Sequence, residues 1–137
     1  MSIDSLPAPT PQINPETQAY WDAAKEGKFI LKRCNDCNIV IWYPRAICPE
    51  CWSSNTEWFD ASGQGTVYTY TINNKGEGAY AKRDPFVLGY VTLAEGPTIM
   101  TNILADDLSK IEVGSPVEVV FSPTDDGETA LPRFQLK

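Results

Sequence analysis

The sequence predicts a mainly β protein in which a short N-terminal helix and a four-cysteine ribbon precede a five-stranded barrel of the OB type. Three observations support this fold class: a helical pattern stops at Gly27, all four cysteines lie between residues 34 and 51, and short β-rich segments alternate with Gly or Pro turns after residue 60. We therefore expect an extended arm and helix over residues 1–27, the ribbon over 28–59 and the barrel over 60–137.

Length, charge and composition limit what this chain can be. Its 137 residues, 42% of them hydrophobic, are enough for one domain with a real core. The net charge of −7 repels phosphate backbones and disfavours nucleic acid. No apolar run approaches the roughly 20 residues of a membrane helix, and the start lacks a signal-peptide pattern, so we expect a cytoplasmic protein. The absence of histidine excludes a histidine base within this chain.

The N-terminal arm and the helix have separate signals. Alternating prolines in residues 1–13 disfavour a helix, which predicts either a loose end or an arm lying along a partner. Asn14 is a suitable cap, the proline after it suits the first helical position, and Gly27 is a natural stop, so a helix is expected over residues 15–25. Tyr20 and Trp21 are its main apolar residues. Core packing is the default account of them, and contact with another subunit is the alternative.

The cysteines form two Cys-x-x-Cys pairs that are separated by ten residues: Cys34, Cys37, Cys48 and Cys51. Two such turns can aim four sulfurs at one point, and Zn²⁺ with four thiolates is the usual occupant of that geometry. Because four sulfurs leave no open position for water or substrate, the site is predicted to be structural. Iron in the same geometry is the less favoured alternative. Disulfides are disfavoured in a reducing cytosol.

Short β segments flank the first cysteine pair, at residues 29–33 and 39–43, and predict a hairpin that carries the two metal-binding turns. Asn38, directly after this pair, is predicted to take a left-handed backbone conformation, which Asn tolerates. Three aromatic residues are expected to shield the sulfurs from water: Trp42, Tyr43 and Trp52.

Five further segments predict the barrel strands, and a short helical turn is expected over residues 106–111 between the third and the fourth. Gly89 fits a bend at a barrel corner. The five segments are residues 66–72, 86–93, 98–104, 116–121 and 132–136.

The order of helix, ribbon and barrel, together with a set of local motifs, resembles the DUF35 family, whose members are OB-fold proteins with a rubredoxin-like zinc ribbon that are associated with acyl-CoA. The resemblance covers residues 15–137. The motifs are Ala19–Phe29, Cys34–Cys37, Tyr43–Arg45, Cys48–Cys51, Gly63–Tyr68, Pro85–Val91, Val113–Val117 and Leu131–Phe134.

This resemblance implies a non-catalytic subunit in a hetero-oligomer. Family members partner thiolase-like enzymes, and sometimes MaoC-like hydratases, that process CoA thioesters in lipid, steroid or aromatic-acid metabolism by thiolysis or retro-aldol chemistry. It also implies one structural zinc ion on the four cysteines, and catalytic residues only on the partner chain.

Four residues are candidates for contact with CoA or the partner. The side chains of Lys82 and Arg83 could bind CoA phosphates, and those of Tyr80 and Phe86 could stack on adenine. Solvated charges and barrel-mouth packing are the simpler accounts.

A single-stranded nucleic-acid module is the alternative function, because OB barrels and zinc ribbons both serve that role and the strands carry Tyr68, Tyr70 and Tyr90. The negative charge and the lack of a basic stripe on the strands argue against it.

Overall fold

The computed structural model describes residues 6–81 and 85–137. Within these residues, one α-helix is followed by eight strands, with 3₁₀ turns at Gly78–Tyr80 and Leu108–Lys110. The elements are α1 (Gln18–Lys25), β1 (Ile30–Cys34), β2 (Val40–Ile41), β3 (Thr56–Asp60), β4 (Gln64–Asn73), β5 (Phe86–Leu93), β6 (Thr98–Leu104), β7 (Pro116–Pro123) and β8 (Ala130–Leu136). The predicted mainly β class is therefore confirmed.

The helix begins three residues later than the sequence predicts. Asn14 caps a separate turn: its side-chain oxygen accepts hydrogen bonds from the backbone N–H of Thr17, at 3.2 Å, and from the Thr17 hydroxyl, at 3.1 Å. Thr17 then occupies the N-cap position of α1. Gly27 follows the helix with φ 79°, as expected for a C-terminal stop.

Strands β1, β2 and β3 form a small antiparallel sheet in the order β2-β1-β3. Lys32 on β1 is opposite Ile41 on β2 and Trp58 on β3. The predicted hairpin is present, although β2 is limited to two residues because the chain after Ile41 turns toward α1. The third strand completes a ribbon in which β1 is central.

The remaining strands close into a barrel in the order β4-β5-β6-β8-β7, with β7 paired back onto β4. This arrangement confirms the predicted five-stranded OB fold, and the helical turn lies between β6 and β7 as expected. The parallel contact between β6 and β8 covers only two register positions. Beside it, Thr101 Oγ1 donates to the Pro132 carbonyl at 3.4 Å, and Arg133 Nε donates to Asn102 Oδ1 at 3.2 Å. Side-chain hydrogen bonds thus join β6 to β8, at the seam of the barrel, where the backbone pairing of these two strands ends.

Gly89 lies where two strands approach too closely for a side chain. A Cβ at this position would come within 2.5 Å of Ile103 Cδ1 and 2.8 Å of the Thr69 carbonyl oxygen. The register of β4 against β5 also shifts between Val67 and Thr69, which marks a bulge. The glycine therefore permits the sharp curvature that the barrel needs at this corner.

The larger of two hydrophobic clusters among the described residues joins the helix, the ribbon and the barrel. Tyr20 from α1, Leu31 from β1 and Phe134 from β8 are all buried in it. The rings of Phe29 and Phe134 pack edge-on with centroids 6.1 Å apart. Because the three parts share this core, the ribbon is held at a fixed position against the barrel.

From Leu6 onward the N-terminal arm folds back on its own barrel, which corrects the expectation of a loose end for this part of the arm. Leu6 and Ala8 are buried. Asp125 donates its backbone N–H to the Ala8 carbonyl at 2.8 Å, and the Pro7 carbonyl accepts from Arg133. The alternating prolines keep the arm extended, and the barrel supplies the partners for its carbonyls.

Candidate metal centre and partner contacts

The two cysteine pairs lie on turns that repeat the same backbone geometry. In the first, Cys34 donates its N–H to the Ile39 carbonyl at 2.9 Å and accepts at its own carbonyl from Asn38 N–H at 2.8 Å. In the second, Cys48 makes the equivalent bonds with Ser53 and Trp52, both at 2.9 Å. Each turn thereby holds its two sulfurs on one side, and the two turns face each other.

Both turns end in a left-handed residue. Asn38 has φ 65°, as predicted, and Trp52 occupies the equivalent position of the second turn with φ 66°. Asn tolerates this conformation, whereas a bulky aromatic residue does so at a cost. The Trp52 side chain is also 81% exposed, so interior packing does not offset that cost.

The four sulfurs are gathered into one cluster. Cys34 Sγ lies 3.5 Å from Cys51 Sγ, and Cys37 Sγ lies 3.6 Å from Cys48 Sγ. All four Sγ atoms lie within 4.8 Å of one another. Four thiolates at about 2.3 Å from a central Zn²⁺ would be about 3.8 Å apart, so the cluster fits a tetrahedral site of this size.

The environment of the cluster separates the pKa values of its thiols. The backbone N–H of Cys37 is the largest influence on Cys34 and lowers its pKa to about 7, despite the opposing effect of burial. At Cys51 the backbone N–H of Ser53 lowers the pKa, but the neighbouring Cys34 sulfur and burial outweigh it and raise the pKa to about 12. Four adjacent thiolates repel one another, and a cation between them would relieve that repulsion.

Polar side chains also connect the two turns. Ser53 Oγ donates to one carboxylate oxygen of Asp36, and Asn55 Nδ2 donates to the other at 3.3 Å. Asn35 donates to Asn55 Oδ1 at 3.2 Å. This network ties the first turn to the segment that follows the second, and it orients both cysteine pairs.

The prediction that three aromatic residues shield the sulfurs from water is wrong. Trp52 points into solvent, whereas Trp42 and Tyr43 pack against Tyr20, with ring centroids at 5.9 and 5.8 Å. Instead, the aliphatic side chains of Ile39 and Ile41 pack beside the buried cysteines. The aromatic residues that follow β2 serve to attach the ribbon to α1, because the helix offers a larger apolar surface than the small metal cluster does.

Tyr20 and Trp21 lie inside this chain and leave little surface for a partner, which accords with the core-packing account. Tyr20 is 3% exposed, and burial raises its pKa above the ordinary value. The two rings are edge-on with centroids 4.9 Å apart, and Trp21 Nε1 donates to the Tyr43 hydroxyl at 2.8 Å. Thr129 Oγ1 donates to the Trp21 carbonyl at 2.8 Å, which fastens the helix to the barrel.

Two of the four candidate CoA contacts fall within the described residues. The rings of Tyr80 and Phe86 pack on each other with centroids 5.0 Å apart, and the Tyr80 hydroxyl donates to the Pro7 carbonyl at 3.2 Å. Such ring-on-ring packing is what the simpler account, packing at the mouth of the barrel, describes. Lys82 and Arg83 lie outside the described residues.

Sequence reasoning missed the central role of Arg133. Its side chain is 1% exposed, and it donates to Asn102 Oδ1, to Ser122 Oγ at 3.1 Å and to the Pro7 carbonyl. An arginine between Pro132 and Phe134 in a short final strand gives no sequence signal of burial, because the acceptors come from distant segments.

None of the helices in the described part of the chain is long and apolar enough to cross a membrane.

Comparisons with known proteins extend over both halves of the fold. The family profile described as "ChsH2, rubredoxin-like zinc ribbon domain" matches residues 21–57, and "ChsH2, C-terminal OB-fold domain" matches residues 58–122. A chain of the solved structure titled "Ltp2-ChsH2(DUF35) aldolase" is similar with a TM-score of 0.80 and 31% identity, over 93% of this chain and 98% of that one.

Two curated relatives differ in how much of their length is matched. A "DUF35 domain-containing scaffold protein" of Methanothermobacter thermautotrophicus is 31% identical over 107 residues, covering 77% of this chain and 80% of the relative. A "Probable enoyl-CoA hydratase alpha subunit" of Thermomonospora curvata is 32% identical over 127 residues, covering 93% of this chain. The match spans only 39% of that hydratase-named relative.

Proposed function

This chain belongs to the DUF35 family, and we propose that it is a non-catalytic subunit that binds and supports a thiolase-like enzyme acting on acyl-CoA thioesters. The observation that carries the proposal is its overlap with a chain of the Ltp2-ChsH2(DUF35) aldolase, which covers 98% of that chain. A protein that shares both the ribbon and the barrel with a member of an enzyme complex, and little beyond them, has the parts needed for the same kind of role.

The chemistry of the four-cysteine cluster favours support over catalysis. Cys34, Cys37, Cys48 and Cys51 would fill all four positions around one Zn²⁺, so no position stays open for a water or a thioester oxygen. The ion would fix the two turns of a ribbon that has little core of its own. We expect one zinc ion per chain and a colourless protein, whereas iron in this site would colour it.

Contact with the acyl-CoA itself is the finer part of the proposal. Lys82 and Arg83 are the candidates for the CoA phosphates, and Tyr80 and Phe86 are the candidates for its adenine, with the Tyr80 hydroxyl bonded to the N-terminal arm. Tyr20 and Trp21 would act on the partner only indirectly, by holding the ribbon against the barrel.

A MaoC-like hydratase is the second candidate partner. The observation that favours it is the match to the hydratase-named relative of Thermomonospora curvata, in which a region similar to this chain forms 39% of a longer polypeptide. In that arrangement the hydratase and the DUF35 region would be tethered. Here the hydratase would have to be a separate chain, or a part of the same protein outside these 137 residues.

Co-expression decides between these roles. We would express this chain with each thiolase-like protein and each MaoC-like hydratase of its source organism, isolate complexes by size exclusion, and measure thioester cleavage and hydration with and without this chain. The expected result is a stable complex with a thiolase-like protein and a gain in its solubility or activity. Thioester turnover by this chain alone, freed of contaminating enzymes, would overturn the proposal.

A further inference from the structure

Three adjacent barrel strands contain no charged residue. Strands β4, β5 and β6 have 10, 8 and 7 residues, and none of these is Asp, Glu, Lys or Arg, although 21% of the whole chain is charged. The ribbon strands are different: β1 carries Lys32 and Arg33, and β3 carries Glu57 and Asp60. Inward-facing positions of a barrel are expected to be neutral, but outward-facing positions ordinarily carry the charges.

The outward positions of these strands expose large apolar side chains instead. Met100 on β6 is 58% exposed and lies opposite Tyr90 on β5, which is 42% exposed. Leu88 points outward two residues before Tyr90, and Tyr68 projects from the bulge in β4. We call these four residues the neutral face. Neighbouring positions on these strands include Thr92 and Thr98, whose hydroxyls hydrogen-bond to each other at 2.9 Å.

A cleft continues the neutral face toward the ribbon. It has a volume of about 260 Å³, and its lining includes Leu88, Met100, Trp42 and Leu131. The apolar surface therefore extends from the barrel onto the aromatic residues that attach α1 and β2.

The size of this surface suits part of a protein interface. Strands of about eight residues at 3.3 Å per residue, three strands wide at 4.8 Å spacing, give a face of roughly 380 Å². A stable interface buries about 800 Å² on each partner. The neutral face and the adjoining cleft would thus provide the apolar centre of an interface, whose rim would come from the charged surroundings.

We propose that the neutral face is the surface on which the thiolase-like partner enzyme docks, through an uncharged and largely apolar patch of its own. The inference rests on the proposed function and adds the place of contact. Tyr and Met are enriched at interface centres and Lys and Glu are depleted, which is the composition found here. A second copy of this chain is a poorer occupant, because two bodies of charge −7 repel each other. Nucleic acid would require basic side chains that these strands lack.

The experiment places single charges on the surface of the full-length chain. Met100→Glu and Tyr90→Glu would each bury an unpaired carboxylate in the interface, and we expect the Kd for the recombinant thiolase-like protein to rise about tenfold or more. The matched control is Ile47→Glu on the ribbon, because Ile47 is 43% exposed, nearly the same as Tyr90. Met100→Leu, which keeps the surface apolar, should bind like the wild type. Thermal melting identifies any variant that fails to fold.

The outcomes separate the two proposals. If no thiolase-like protein binds the wild-type chain, the proposed function fails. If the wild type binds and the folded Met100→Glu and Tyr90→Glu variants bind equally well, the neutral face is not the docking surface. Loss of binding in Ile47→Glu alone would move the interface to the ribbon and overturn the inference. Light scattering of the chain by itself adds a last test: a dimer that Met100→Glu dissociates would identify a second copy as the occupant instead.

Discussion

Arg133 donates a hydrogen bond from Nη2 to the backbone carbonyl of Pro7, a residue 126 positions earlier in the chain. The guanidinium is buried, and burial lowers its pKa below the ordinary value. A buried cation is tolerated only if its donors are satisfied. The arm therefore supplies part of the environment that allows Arg133 to sit inside the barrel seam.

Removal of the arm should weaken the fold through this contact. Deleting residues 1–8 leaves one Arg133 N–H without its acceptor and removes the buried Leu6 and Ala8, so we expect the free energy of unfolding to fall by at least about 1–3 kcal/mol. Replacing Arg133 by Lys keeps the charge but removes the planar guanidinium with its several donors, and the free energy of unfolding should fall by a similar amount. Urea unfolding measures both. In a double-mutant cycle the two losses should be clearly less than additive, and full additivity would show that arm and guanidinium act independently.

The stability of the fold should depend on pH through the carboxylate of Asp126, which lies beside the N-terminal arm. The pKa of Asp126 is lowered first by the hydrogen bond from the Thr10 side chain, and further by the Glu128 N–H and the Thr124 hydroxyl. A lowered pKa means that the charged carboxylate stabilises the fold above the ordinary value of about 3.9, and that this stabilisation is lost as the pH falls through the folded-state pKa.

Asp126→Asn should consequently be less stable than the wild type at pH 6, and the difference should shrink below about pH 4. Urea unfolding of both proteins across this range provides the measurement. A difference that stays constant with pH would contradict the assignment.

Loss of one sulfur should release the metal. Cys48→Ser leaves three cysteines around the ion, and we expect bound zinc to fall well below one per chain, with a loss of several kcal/mol of stability. Elemental analysis and thermal melting measure the two effects. Wild-type protein treated with a chelator should melt like the variant. Retained zinc together with an unchanged melting temperature would remove Cys48 from the ligand set.

Trp52 should be replaceable with a gain in stability. Its φ of 66° is unfavourable for a bulky side chain, and its ring is exposed, so Trp52→Gly is expected to raise the free energy of unfolding by about 1 kcal/mol. The equivalent position of the first turn offers the reverse experiment: Asn38→Val should destabilise the protein by about 1–2 kcal/mol. Chemical unfolding checks both. A loss of stability in Trp52→Gly would mean that the ring makes contacts that offset the backbone cost.

The barrel should not bind single-stranded nucleic acid. Tyr68 and Tyr90 are exposed and could stack on bases, but β4, β5 and β6 offer no cation for the phosphates, and the chain has a net charge of −7. We expect no saturable binding of poly-dT or poly-U oligonucleotides in filter assays at low salt. Saturable, salt-sensitive binding would support the alternative function.

The local motifs determined a large part of this structure in advance. The doubled Cys-x-x-Cys spacing predicted one sulfur cluster. The four Sγ atoms do lie within 4.8 Å of one another, because hydrogen bonds among neighbouring residues stabilise each turn. The segments 86–93 and 98–104 predicted β5 and β6 with their bounds, since each has a β-rich pattern between clear turn residues. Asn38 took its left-handed conformation for the same local reason.

Long-range packing decided the rest. The sequence could not show that Trp42 and Tyr43 would contact Tyr20 rather than the sulfurs, because both alternatives bury an aromatic ring and only the position of α1 distinguishes them. It could not show that the arm would return to Arg133, since the acceptor and the donor are 126 residues apart. The exposed neutral face emerged only when the barrel closed and assigned each strand residue to the inside or the outside.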